Sequence, residues 1–219
     1  MICIVNQPTH NKRYFYMINL YHFPVSQHSR RVVSLLEEAR ISYTAKIVDL
    51  MSGEHMSAEF LKINPNHQIP TLVDEETTLH ESNAILRYLC NKYELEQWYP
   101  TDLAHRAQVD QWLDWNQCRF SPTVVAIVLN KVFLGENGDK EAIKKGLDTL
   151  PELLGILESS LAKSQYIAGN LPTIADLSLA SNIFHLSFAE LMPLSGEIKA
   201  WYDRISTLSG FKKSLPAKI

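Results

Sequence analysis

Asn64-Pro65-Asn66-His67-Gln68-Ile69-Pro70-Thr71-Leu72-Val73, followed eight residues on by Glu81-Ser82, decides how this chain is read. Proline has no N–H and is expelled from central strands, so Pro70 ahead of the run Thr71-Leu72-Val73 marks a strand start or a bend. The Ile69–Pro70 bond is a natural place for the cis form. In that geometry the Ile69 backbone turns outward with its N–H and C=O unpaired, free to bind an extended peptide as an added strand would. Glu81 and Ser82 then end the next strand and open a helix. A carboxylate there suits an ammonium group, and a hydroxyl beside free helix N–H groups suits a carboxylate, so the pair reads as a grip on an α-amino acid. The plainer alternative is that both residues only cap the helix.

Outward from this stretch, the hydrophobic period sets the elements. Ile18 to His22 alternates apolar and polar side chains, and Phe23-Pro24-Val25-Ser26 breaks the pattern before a helix carrying Val32, Val33, Leu35, Leu36 and Ala39. Tyr43 to Leu50 is rich in β-branched residues and predicts a second strand; Ser57 to Ile63 predicts a short helical turn. A hairpin from Ile69 to His80 turns over Asp74-Glu75-Glu76, and Ser82 to Tyr93 is a helix. The order is βαβαββα, which patterning alone classes only as α/β. After Tyr99-Pro100 helical periodicity dominates, with one amphipathic helix over Asp139 to Ala162 and a last long helix over Glu197 to Leu208. Thr173-Ile174-Ala175-Asp176 is a capping box, with hydroxyl and carboxylate three residues apart, and is structural.

Composition narrows the function. The chain has 219 residues, 46% hydrophobic and 21% charged, with a net charge of −3, which offers no general attraction for nucleic acid or anionic lipid. The longest apolar run, Val124-Val125-Ala126-Ile127-Val128-Leu129, is too short to span a bilayer, so a soluble protein is expected. Cys3, Cys90 and Cys118 are odd in number and widely spaced, which suggests reduced packing thiols in a cytoplasmic protein. No metal-ligand spacing is visible. The first sixteen residues carry no continuous apolar core, and residues 1–16 are read as a flexible extension.

From about Ile18 to Phe211 the chain resembles the cytosolic glutathione transferases, most closely the theta and delta classes. The resemblance rests on Ser26-Gln27 with Arg30 four residues after the serine, on Glu54-His55, on the Asn64 to Val73 segment, on Glu81-Ser82, and on Tyr166-Ile167-Ala168-Gly169 leading to Pro172-Thr173-Ile174-Ala175-Asp176-Leu177. It implies a thioredoxin-like glutathione-binding domain over residues 17–95, a linker at 96–101 and an all-α C-terminal domain over 102–219. It further implies glutathione as co-substrate, a small hydrophobic electrophile as the second substrate, and a homodimer. Related activities on the same site are dehalogenation and peroxide reduction, and a non-catalytic interaction module is the alternative from another class.

In this frame Ser26 is the catalytic candidate, a hydroxyl donating to the glutathione thiolate in the loop before the first helix. Simple helix capping is the bland reading, and Ser29 is the competing hydroxyl. His55, His67, Ile69, Pro70, Glu81 and Ser82 are the expected glutathione contacts. The loop contains no Cys, which removes a cysteine mechanism. Where the theta and delta patterns have Pro and Cys, this chain has His28 and Ser29, and where the delta class has an Arg after Glu-Ser it has Asn83. Trp112, Trp115 and Arg119 fall at helical spacing and are expected to line the electrophile pocket, with core or interface packing as the alternative; Arg106, Asp110 and Asn116 are expected at a solvated or interface face.

Overall fold

The computed structural model describes residues 17–217, so the expectation for residues 1–16 lies outside the described residues. The N-terminal unit runs β1 (Ile18–His22), α1 (Gln27–Glu38), β2 (Tyr43–Ile47), α2 (Ala58–Leu61), β3 (Thr71–Asp74), β4 (Thr77–Leu79) and α3 (Ser82–Lys92). The sheet order is β2-β1-β3-β4. β1 pairs parallel with β2 and antiparallel with β3, with Leu20 opposite Leu72, and β3 pairs antiparallel with β4. This is the thioredoxin-like βαβαββα order. Alternation along β1 puts Ile18, Leu20 and His22 inward, as a period of two requires.

From Leu103 onward, every regular element among the described residues is helical: α4 (Leu103–Trp115), α5 (Ser121–Val128), α6 (Lys140–Leu161), α7 (Ile174–Leu186), α8 (Gly196–Ser206) and α9 (Ser209–Ser214). α4 and α5 are one continuous rod interrupted by wide π-type turns at Asn116–Phe120 and Leu129–Phe133. α7 is buried on almost every side, and Leu20, Leu36, Leu72, Ile85, Phe120, Leu177 and Trp201 belong to one contiguous core that spans both units. α9 folds back on α1. A Cβ on Gly210 would lie 2.4 Å from the Ser34 carbonyl oxygen, so only glycine allows this approach.

The two units dock through charge as well as apolar surface. Arg30 and Arg31, adjacent on α1, are both fully buried against α7. Arg30 donates to the Ser181 carbonyl at 3.0 Å and stacks over Phe184, 4.3 Å from the ring centre. Arg87 on α3 pairs with Asp110 and Asp114 on α4 at 2.7 and 3.1 Å. Asp110 is therefore an interface residue, whereas Asn116, expected on a solvated or interface face, is fully buried in a polar network. Cys90 is buried and its thiol is pushed up to about 12 by that burial, while Cys118 is exposed rather than packed.

Asp176 ties the start of α7 to its surroundings. Its carboxylate accepts from the Ile167 and Thr173 N–H groups at 2.9 and 2.8 Å, the Thr173 hydroxyl at 3.0 Å and the Trp201 indole at 2.8 Å. Removing one acceptor that serves four buried donors leaves all four unsatisfied. Asp176→Ala is expected to cost about 3–5 kcal/mol, a fall of roughly 10 °C in thermal midpoint, measured by calorimetry; a shift within 2 °C would show that the donors find other partners.

Candidate functional site

Two cavities meet at the N-terminus of α1. The polar one, about 360 Å³, is lined by Ser26, His55, His67, Ile69, Pro70, Glu81 and Ser82, joined by His28, Leu50, Asn64, Asn66, Gln68, His80 and Gln117. The structure thus brings together in one cavity the thiolate candidate and all six residues expected at the peptide. The Ile69–Pro70 bond is cis. The loop around it is pinned by buried Asn64, whose amide donates to the Gln68 carbonyl at 2.8 Å and to the Thr71 hydroxyl at 3.0 Å, while its oxygen accepts from the Asn66 N–H at 3.0 Å. Asn64, His80 and Gln117 were not expected at the site. Asn64 opens the quoted stretch and His80 directly precedes Glu81, but Gln117 arrives from the other unit and carries no local sequence signal.

Glu81 stands just ahead of α3 with φ 67° and ψ 107°, outside the conformations an L-residue prefers. Such a residue costs on the order of 1–3 kcal/mol and persists where the surroundings fix it. Its carboxylate makes no capping bond, so capping does not account for it. Among the described residues it has no hydrogen-bond or ion-pair partner. His55 and His67 each carry a buried Nδ1 without a partner. Unsatisfied polar atoms around a cavity are the complement of a ligand that brings its own.

Ser26 caps α1, its Oγ accepting from the Ser29 N–H at 3.3 Å. A hydroxyl holds one proton and two lone pairs, so the capping bond leaves the proton free to donate into the cavity. Ser29 is fully buried, and its Oγ accepts from the Phe23 N–H at 3.3 Å. It lines neither cavity.

The second cavity, about 500 Å³, is mostly apolar and is walled by Phe23, Val25, Met51, Val125, Leu129, Phe133 and Leu134, with His185 at its base. It shares Ser26, His28, Leu50 and His55 with the polar cavity. None of Trp112, Trp115 and Arg119 lines either one, which corrects the expected pocket. Trp112 faces a separate groove with Gln108 and Ser160, Trp115 stacks on Phe120 at 5.8 Å, and Arg119 is exposed. Trp112 and Trp115 precede the π-type turn at Asn116–Phe120 and pack on the core of the helical unit, which was the alternative reading of that stripe. Arg119 lies within the turn, where the 3.6-residue phase is broken, and the residues that line the apolar cavity come later, at 125–134.

Burial keeps two imidazoles neutral here. His185 is pushed down to about 3, first by burial and then by the charges of Arg30 and Arg31. His28 is held well below its ordinary value by burial, with Arg31 and His185 adding to the effect. Among the described residues no group of three or more His, Cys, Asp or Glu is arranged to hold a metal ion.

Residues 20–97 match the family model described as glutathione S-transferase, N-terminal domain, and residues 119–208 match glutathione S-transferase, C-terminal domain. The chain is 34% identical to glutathione S-transferase F10 of Arabidopsis thaliana, over 90% of this chain and 96% of that one. It is 32% identical to human glutathione S-transferase theta-1, over 88% and 84%. The crystal structure of poplar glutathione transferase F1 superposes with a TM-score of 0.83 at 32% identity, covering 90% of this chain and 96% of the other. The chain belongs to the glutathione S-transferase family, whose members use glutathione as co-substrate. Its similarity is to plant F-type as well as theta-type enzymes.

His185 gives this site a pH signature. Between pH 6.5 and about 3 the unfolded chain binds a proton on this residue and the folded one does not, so stability falls as pH drops through that window, by up to ~1.4 kcal/mol per pH unit. Phe fits the same aromatic surroundings, since Phe133 and Phe188 lie 6.0 and 5.1 Å from the imidazole. His185→Phe is expected to flatten the loss of stability between pH 6 and 4, followed by urea unfolding at stepped pH; parallel curves for the two proteins would refute it.

Proposed function

We propose that the polar cavity binds glutathione and that the protein adds the glutathione thiolate to a small hydrophobic electrophile held in the apolar cavity. The observation that carries this reading is the position of Ser26 at the seam, on the wall of both cavities. A thiol held by the peptide grip at that seam faces the second substrate directly. In the polar cavity, Glu81 takes the ammonium of the γ-glutamyl end and Ser82 its carboxylate. The cis Ile69–Pro70 edge pairs with the cysteinyl backbone, and His55 and His67 face the glycine carboxylate.

Activation of the thiol is within reach of the groups present. A free thiol with pKa ~8.5 is only about 3% ionised at pH 7, and lowering that pKa by about two units takes ~2.7 kcal/mol. One charge-assisted hydrogen bond supplies about 1.5–3 kcal/mol, and the N-terminal end of α1 adds to it. No protein base is required. The electrophile meets Phe23, Val125, Leu129 and Phe133, and the neutral imidazoles of His28 and His185 keep charge out of that wall. The homodimer and a cytoplasmic location belong to the same reading, with light scattering as the check on the dimer. A non-catalytic scaffold has no use for the strained backbone that presents the Glu81 carboxylate to the cavity.

Ser26→Ala is expected to shift the pH–rate profile of conjugation upward by about one to two units and to lower the rate at neutral pH roughly ten- to a hundredfold, with glutathione affinity little changed. Thiolate absorbance of bound glutathione against pH is the direct measurement. Ser29→Ala should leave the profile in place; the reverse pattern would assign the role to Ser29. Glu81→Ala is expected to lose ~2 kcal/mol or more of binding, about thirtyfold in affinity by calorimetry, and unchanged affinity would move the peptide elsewhere.

A further inference from the structure

The guanidinium of Arg31 is fully buried, and among the described residues it makes no ion pair. Instead Nη1 lies 3.0 Å from Gln117 Oε1, 3.3 Å from Ser82 Oγ and 3.5 Å from Asn83 Oδ1, and Nη2 lies 3.2 Å from Ser121 Oγ and 3.4 Å from Asn182 Oδ1. A guanidinium only donates, so each of these partners is forced to accept. Two of them, Ser82 and Gln117, also line the polar cavity. With the Gln117 carbonyl oxygen committed to Arg31, what remains of its amide is the NH₂ group, a pure donor. With a Ser82 lone pair committed likewise, its hydroxyl proton is left to donate. Asn83, which also accepts from the Ser178 hydroxyl at 2.9 Å and donates to the Leu113 carbonyl at 3.0 Å, is held in the same sense. A cation therefore sits behind two donors on the wall that also carries Glu81, an acceptor. Donors backed by a positive charge select a carboxylate, and the adjacent acceptor selects an ammonium.

We propose that Gln117, oriented by the buried Arg31, is a binding residue for the α-carboxylate of the γ-glutamyl end of the peptide, completing from the helical unit a subsite that Ser82 begins from the sheet unit. Arg31 is the positioning residue and touches the ligand only through these two side chains. The inference rests on the reading that this cavity takes glutathione.

Gln117→Glu tests it, because the new carboxylate pairs with Arg31 while presenting an acceptor oxygen, and no donor, to the ligand carboxylate. Two peptides are titrated by calorimetry against wild type and variant: reduced glutathione, and its analogue with 4-aminobutyryl in place of γ-glutamyl, which keeps the ammonium and lacks the α-carboxylate. The expected result is a loss of about tenfold or more for glutathione, an unchanged or raised thermal midpoint, and affinities for the analogue within about twofold of each other in the two proteins. Gln117→Met, which keeps the shape and removes the amide, should show the same selective loss at about three- to tenfold and serves if the glutamate variant fails to fold. An unchanged glutathione affinity, or an equal loss for both peptides, overturns the assignment. Absence of glutathione binding by the wild-type protein would instead overturn the underlying reading, and this inference with it.

Discussion

A positive charge has been taken out of water at Arg31, and the surrounding structure is arranged around satisfying it. Burying an unpaired ion costs several kcal/mol even after relaxation, so the docked state is acceptable only if enough oxygens converge on the guanidinium. They come from both units: Ser82 and Asn83 on the sheet side, Gln117, Ser121 and Asn182 on the helical side. The chain of donors then closes on itself. Asn182 donates to Asn116 at 2.6 Å, Asn116 to Ser178 at 2.9 Å, and Ser178 to Asn83 at 2.9 Å. Apolar burial is non-directional and would tolerate small rotations between the units, whereas this ring tolerates few. The cleft geometry is fixed by a polar requirement inside a hydrophobic interface. Burial still lowers the Arg31 pKa to about 9, with Glu81 opposing the shift, so the charge is present at neutral pH.

In the proposed reading, Ser26 combines a structural and a chemical role in one atom. Its oxygen satisfies an otherwise orphaned helix N–H, and the hydroxyl proton is left to turn toward a partner in the cavity. Capping and catalysis stood as opposed readings of the sequence, but a hydroxyl that accepts the capping bond still has a proton to donate, so the two are compatible. Ser29 lacks this option because its side chain is enclosed beneath the loop and engaged with Phe23.

The element order, the hairpin and the capping box were legible because each rests on local rules: period two in Ile18–His22, Pro70 before an apolar run, a hydroxyl three residues ahead of Asp176. That His67, Ile69, Pro70, Glu81 and Ser82 share one cavity was legible as well, since the first three lie within four residues of one another and Glu81 opens a helix. Gln117 was not, because its significance depends on a partner 86 residues away. Val125, Leu129 and Phe133 were hidden for the opposite reason: an unbroken apolar run reads as core, and only the tertiary arrangement shows which of its faces is left open. Asn83 looked like a lost charge in sequence. In three dimensions Arg31, from a different helix, brings a cation to the same neighbourhood, which no rule confined to nearby residues would find.

The wide turns that interrupt the long α4–α5 rod have a consequence for how such a protein diversifies. A π-type turn accommodates one additional residue without ending the helix, and one residue is about 100° of rotation for everything beyond it. Gain or loss of a residue there would deal a different set of side chains to the apolar wall while the hydrogen-bonded rod and the sheet-side grip stayed in place. At Asn116–Phe120 such a change would also move Gln117 away from Arg31 and the polar cavity, whereas at Leu129–Phe133 it would leave both in place and re-index only the far end of the apolar wall.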